Sequence, residues 1–155
     1  MTLSPLGLAL IQFFENYADR PYRRFPHEPW TAGWGHTGAD VTQDTVVTPE
    51  IALKWLKEDT LGAETVVMHD VKVKLYQHEF DALVSLVYNA GQVALEHRTG
   101  EVWVVSTLLK QLNASNISAA AEEFLQWDHL NGVPDKGLLR RRQLEKALFL
   151  DGAPT

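Results

Sequence analysis

Glu15 is the first charged residue of the chain, and it follows a largely apolar run from Leu3 to Phe14. Near the C-terminal end of such a helix a carboxylate opposes the helix dipole, by about 0.3–1 kcal/mol if exposed. Burial would raise its pKa and favour the protonated form. A carboxyl kept protonated near neutral pH is the kind of group that donates a proton to a glycosidic oxygen. A solvent-exposed glutamate at a frayed helix end accounts for these residues equally well, so the pattern alone leaves both readings open.

Other chemically capable groups converge less. Arg140-Arg141-Arg142 make a basic spot on a chain whose formal net charge is −6. His69-Asp70 and His78-Glu79 lack a convergent third ligand at helical spacing, so no metal set is expected. Trp30 and Trp34 could stack on sugars, with core packing as the expected use.

The elements that must position these groups follow from periodicity and caps. Ser4-Pro5 starts a helix, the hydroxyl capping and the proline at the first turn. Leu6, Leu10, Phe13, Phe14 and Tyr17 then keep helical spacing, while Leu8 and Ile11 fill the opposite side. A helix apolar nearly all round is expected to be buried, and Pro21 to end it. Trp30, Ala32 and Trp34 alternate with Thr31, Gly33 and Gly35, which predicts a short strand in a small hairpin lobe. Turn clusters at Pro26–Pro29 and Gly38–Asp40 bound it. Thr48-Pro49-Glu50 opens a long connecting helix to about Met68. Phe80, Leu83, Val84, Val87 and Tyr88 predict a helix from about Tyr76 that stops near Gly91. The stretch Glu96–Glu101 reads as an exposed loop. Helices resume at Ser106–Leu109, Asn116–Trp127 and Gly137–Leu150, with an Asn131-Gly132 turn before the last.

The expected architecture is therefore α+β: one domain over residues 1–155, a helical body with a small β-lobe at about residues 18–47. At 155 residues and 45% hydrophobic the chain can bury a substantial core. It has no cysteine, so packing rather than disulfides or thiolate–metal bonds must hold it. The acidic balance argues against nucleic-acid or anionic-membrane partners. The apolar start has no basic n-region, contains Pro5 and meets Asp19-Arg20 too soon for a span, so neither a signal peptide nor a membrane anchor is expected.

From Glu15 onward the motifs accumulate in order. Phe14-Glu15, Tyr22 and Trp30-Thr31-Ala32-Gly33-Trp34-Gly35-His36-Thr37 come first. Gln77 to Ser85 reads Q-H-E-F-D-A-L-V-S, followed by Asn89-Ala90-Gly91 and Ser106-Thr107-Leu108-Leu109. Trp127 and Gly137-Leu138-Leu139-Arg140-Arg141-Arg142-Gln143-Leu144-Glu145 close the series. In this order and spacing the chain resembles the phage lysozymes (endolysins) of glycoside hydrolase family 24. The resemblance implies a lysozyme-like fold with a cleft between lobes, and hydrolysis of the β-1,4 bond between N-acetylmuramic acid and N-acetylglucosamine with inversion. It places Glu15 on the catalytic acid and Thr31 on the threonine that holds the attacking water. Gly33 and Gly35, on the face of Thr31, are expected to leave room for a sugar, with Asn89 as a further substrate contact. Arg141 or Arg142 is the expected partner of the acid, and His36 a supporting residue. The expected partner is the peptidoglycan glycan strand, met by a monomer with no cofactor, no nucleic acid and no stable membrane association. Synthesis in the host cytoplasm and exit through a holin-type pore to the wall are also implied.

One part of the pattern departs. The family places an aspartate, sometimes a cysteine, nine residues after the acid, where this chain has Arg24, and the interval to Thr31 is one residue longer. An inverting glycosidase needs a second carboxylate roughly 6.5–9.5 Å from the acid. Glu28 is the first substitute, against an ordinary loop glutamate as the alternative; His27, Asp19 and Asp40 are weaker. Three readings follow: a muramidase with a relocated base, a lytic transglycosylase that uses Glu15 alone, and a glycan- or protein-binding domain without catalysis.

Overall fold

The structure, a computed structural model, describes residues 1–151. Its contacts form two compact units. One comprises Leu8–Leu61, the other Gly62 onward together with Met1–Gly7. The division falls within α1 (Pro5–Phe14) and within α2 (Pro49–Asp70).

In the smaller unit, β1 (Ala18–Tyr22), β2 (Thr31–Gly33) and β3 (His36–Thr37) form an antiparallel sheet in that order. Tyr22 lies opposite Thr31, Thr31 opposite Thr37, and Ala32 opposite His36. The sequence predicts a hairpin, and the sheet has a third strand, β1, at the start of the expected β-lobe. Pro21, expected to end the first helix, sits inside β1. It is tolerated there because β1 is an edge strand, where a missing N–H breaks no interior ladder. The helix itself stops at Phe14.

The expected burial of α1 is also corrected. Leu6 and Phe13 are about 60% exposed, at 61% and 60%, and only Gly7 and Ile11 are fully buried. These two lie one turn apart, so the helix packs through a narrow stripe and its remaining apolar side chains lie outside it. A small core of Ala32, Val41 and Trp55, flanked by Trp30 and Val47, joins the sheet to α2. Thr48 starts α2 by accepting from Ile51 N–H at 3.2 Å.

The larger unit is helical. α3 (Gln77–Ala90), α4 (Thr107–Asn113), α5 (Ile117–Glu123) and α6 (Lys136–Asp151) surround a core of Phe80, Leu83, Leu86, Leu109, Phe124 and Phe149. α6 packs chiefly against α3. Glu79 accepts from Tyr76 N–H at 2.8 Å to begin α3, and Ser106 accepts from Leu109 N–H at 3.1 Å to begin α4. Leu3 N–H donates to Glu64 and Ser4 bonds Asp81, which ties the first residues to this unit.

Residues 96–101, expected as a loop, belong to a hairpin of β4 (Glu96–Thr99) and β5 (Val102–Val105). Gly100 at φ +62 makes its two-residue turn. The burial along β5 never alternates, so no period-two signal marked it as a strand. The Asn131-Gly132 turn is present with both residues at positive φ, 51 and 79, and connects β6 (His129–Leu130) to β7 (Val133–Pro134).

Candidate active site

Glu15 follows directly on α1, its N–H still bonded to Ile11 C=O at 3.0 Å, and its side chain is half-buried. The turn Trp34-Gly35 between β2 and β3 comes close to it: a Cβ built on Gly35 would lie 4.0 Å from Glu15 Oε2. Gly35 has φ +85, a conformation that a side chain would strain. Thr31 is half-buried in the central strand of the same sheet.

Gly33 packs against α2. A Cβ there would stand 3.0 Å from Ala52 Cβ and 3.5 Å from Trp55, so the vacant side faces α2 and is filled by packing. Its lack of a side chain permits close approach of sheet and helix.

His36 is fixed from three directions. Nδ1 bonds the Asp59 carboxylate at 2.8 and 2.9 Å, Nε2 bonds Asp40 at 3.1 Å, and the ring stacks on Trp55. Desolvation pushes its pKa down, but the two carboxylates outweigh it and the net shift is upward. The hydrogen bond from His36 holds the Asp40 carboxyl below its ordinary range. Both ring nitrogens face acceptors, the arrangement that suits an imidazolium.

The rebuilt turn after β1 is held largely by its own residues. Glu28 Oε2 accepts from Phe25 N–H at 3.3 Å, and Arg23 donates to Pro26 C=O at 2.6 Å. The Arg23 guanidinium also lies 4.5 Å from the Trp30 ring centroid. Arg24 is exposed.

In the helical unit the three consecutive arginines part company. Arg140 is exposed, whereas Arg141 and Arg142 are buried around Glu145, itself fully buried. Arg141 Nε donates to Glu145 Oε1 at 3.0 Å and Arg142 Nη1 donates to Oε2. Arg142 also donates to Trp127 C=O at 3.0 Å and to the side-chain oxygen of Asn89. Burial lowers its pKa, with the Glu145 charge opposing the shift. Asn89, Trp127 and Arg142 line a pocket of about 500 Å³ with His129, Leu130 and Leu138.

Sequence reading missed Asp59 and Trp55 as partners of His36, and Ser85 and Glu145 as partners of the arginines. The i, i+3 and i, i+4 spacing of Glu145 to Arg142 and Arg141 was a usable signal; the His36 partners, on a separate helix, left none. It also missed Glu96, which brings a third ligand atom to His69 and Asp70.

Residues 12–145 match the family model described as phage lysozyme. The chain belongs to that family. An endolysin of Bacillus phage B103 is 40% identical over 153 residues, covering 98% of this chain and 55% of that protein. The endolysin of Acyrthosiphon pisum secondary endosymbiont phage 1 is 38% identical, covering 96% of this chain and 98% of its own length. A crystal structure of a P22 lysozyme mutant matches with a TM-score of 0.83 at 35% identity, covering 97% and 99% of the two chains. The chain spans a little over half the length of its Bacillus phage B103 and PZA relatives, 55% and 57%. This member of the phage lysozyme family thus has the α+β, lysozyme-like fold.

Proposed function

We propose that the chain is a muramidase that hydrolyses the β-1,4 bond between N-acetylmuramic acid and N-acetylglucosamine in peptidoglycan. The observation that carries this reading is the Glu15 carboxylate at the end of α1, beside the Gly35 turn, in a chain of the phage lysozyme family. Glu15 donates its proton to the departing glycosidic oxygen as the C1–O bond breaks. Thr31 orients a water toward the anomeric carbon, and Glu28, our candidate base, takes that water's proton. Gly35 leaves its side of the turn open to the sugar. His36 holds β3 to α2, Arg142 fixes Asn89, and Arg141 braces the α3–α6 face through Ser85. The enzyme acts as a monomer on the wall and crosses the inner membrane through a pore made by another protein. No described helix is long and apolar enough to cross a membrane.

The exposed Arg24, at the family's usual aspartate position, supports a second reading. A lytic transglycosylase needs no base for water, because the substrate's own 6-hydroxyl attacks. Mass spectrometry of products released from purified peptidoglycan separates the two. Reducing muramic ends support hydrolysis, 1,6-anhydro ends support the transglycosylase, and absence of release overturns both in favour of a binding protein.

A further inference from the structure

The end of α2 and the start of β4 bring together three side chains that the hydrolytic reading does not use. His69, Asp70 and Glu96 each offer one ligand atom, and these atoms lie within 4.8 Å of one another. Among the described residues this is the one such His/carboxylate trio. We propose that it is a binding site for a divalent transition-metal ion of the Zn2+ class.

Asp70 supplies the second, independent observation. Its side chain is fully buried while that of His69 is 74% exposed. One of its oxygens, Oδ1, accepts from His69 Nδ1 at 2.7 Å. The other, Oδ2, is buried and has no hydrogen-bond partner among the described residues. A carboxylate oxygen removed from water without a donor is strongly disfavoured unless a cation or a proton replaces what it lost. A metal ion held against the exposed imidazole and Glu96 would supply that replacement.

The frame around the trio is already fixed. Asn113, the last residue of α4, donates to Asp70 C=O at 3.1 Å and accepts from Lys72 N–H at 2.7 Å, which pins the end of α2. At the opposite end of α4, Ser106 N–H donates to Leu95 C=O at 2.7 Å, next to Glu96, and Glu96 pairs with Val105 across the hairpin. Both halves of the trio are therefore mounted on one short helix. That reduces the ordering cost of binding an ion.

The ligand chemistry selects the ion. An imidazole with two carboxylates suits zinc and its neighbours, whereas Mg2+ and Ca2+ favour oxygen-only shells. Three protein ligands leave a fourth tetrahedral position for water.

The test is titration of ZnCl2 into chelator-treated full chain, by calorimetry and thermal denaturation, with MgCl2 in parallel. The expected result is one equivalent bound and a rise in Tm of ~5 °C at a hundredfold excess over Kd. Glu96→Gln and His69→Gln should each weaken binding at least about tenfold. Both positions are accessible enough to vary without opening the core, unlike Asp70. No binding near one equivalent, an unchanged affinity in both variants, or equal stabilisation by Mg2+ would each overturn the site.

Discussion

The hydroxyl of Ser85 donates to Glu145 Oε1 at 2.6 Å, inside a buried cluster where that one carboxylate also receives Arg141 and Arg142. Removing Glu145 would take a buried carboxylate from beside two buried guanidinium groups. Glu145→Ala is expected to cost about 3–5 kcal/mol, whereas Ser85→Ala, which loses one hydrogen bond, costs about 1 kcal/mol. Equilibrium urea denaturation reads both. Comparable, small losses would mean that the cluster is solvated in a way its burial denies.

His36 makes stability depend on pH, with a definite sign. Its pKa is raised on folding, so its contribution is complete below its ordinary value of 6.5 and fades as pH climbs through the higher folded value. Asp40 is lowered, so its share is present above its ordinary 3.8 and is lost as pH falls through the lower folded value. The Tm gap between the wild type and His36→Gln should therefore be widest from about pH 4 to 6.5, at ~3–6 °C, and should narrow toward alkaline pH. A gap that stays constant to about pH 9 would show that stacking on Trp55, not charge, supplies the whole effect.

Glu15→Gln keeps the shape of the side chain and removes the transferable proton. Turnover on purified peptidoglycan should fall by about 10²–10⁴-fold, the usual worth of a general acid, with Tm nearly unchanged. Equal lysis of outer-membrane-permeabilised Gram-negative cells by both proteins would remove Glu15 from the mechanism.

Glu28 is tested by the same substitution with a different expected pattern. As the base it should, as Glu28→Gln, lose ~10²-fold or more in kcat while binding of the glycan survives. Because its Oε2 accepts from Phe25 N–H, the turn should be little disturbed by an amide that keeps that acceptor. Near-normal rates would confine Glu28 to holding the turn.

Gly33 and Gly35 should part under the same change. Both have positive φ, so alanine strains each backbone by roughly 1–2 kcal/mol. Gly33→Ala also drives a methyl to 3.0 Å from Ala52 Cβ and 3.4 Å from its backbone, which adds a packing cost of about 1–3 kcal/mol. Ala52→Gly should recover part of the Gly33→Ala loss and none of the Gly35→Ala loss. Thermal denaturation of the three single and two double variants decides it.

Much of the scaffold was legible in the sequence because local rules and tertiary packing agreed there. Thr48-Pro49 starts α2 as its cap chemistry requires, the apolar period over Phe80–Val87 lies in the core, and Asn131-Gly132 turns where positive φ is needed. The motifs around Glu15 and Thr31 put both in the smaller unit, with the sheet that the alternation at residues 30–35 had announced. Other features depend on partners that no local pattern names. Asp59 reaches His36 from a separate helix, 23 residues away in sequence. β4 and β5 carry no burial alternation, so hydrogen bonding alone reveals them as strands. Arg140, Arg141 and Arg142 read as one basic run, yet helix geometry sends two inward and leaves one in water.

The helical unit is discontinuous, completed by Met1–Gly7 after a chain excursion of more than fifty residues. During synthesis those first residues leave the ribosome with nothing to dock on, since Glu64 and Asp81, which receive Leu3 and Ser4, have not yet been made. Trimming those first residues would leave the smaller sheet intact and unseal the other unit at two buried carboxylates. Loss of Met1–Gly7 would thus be felt by the helical unit and not by the sheet that follows them in sequence.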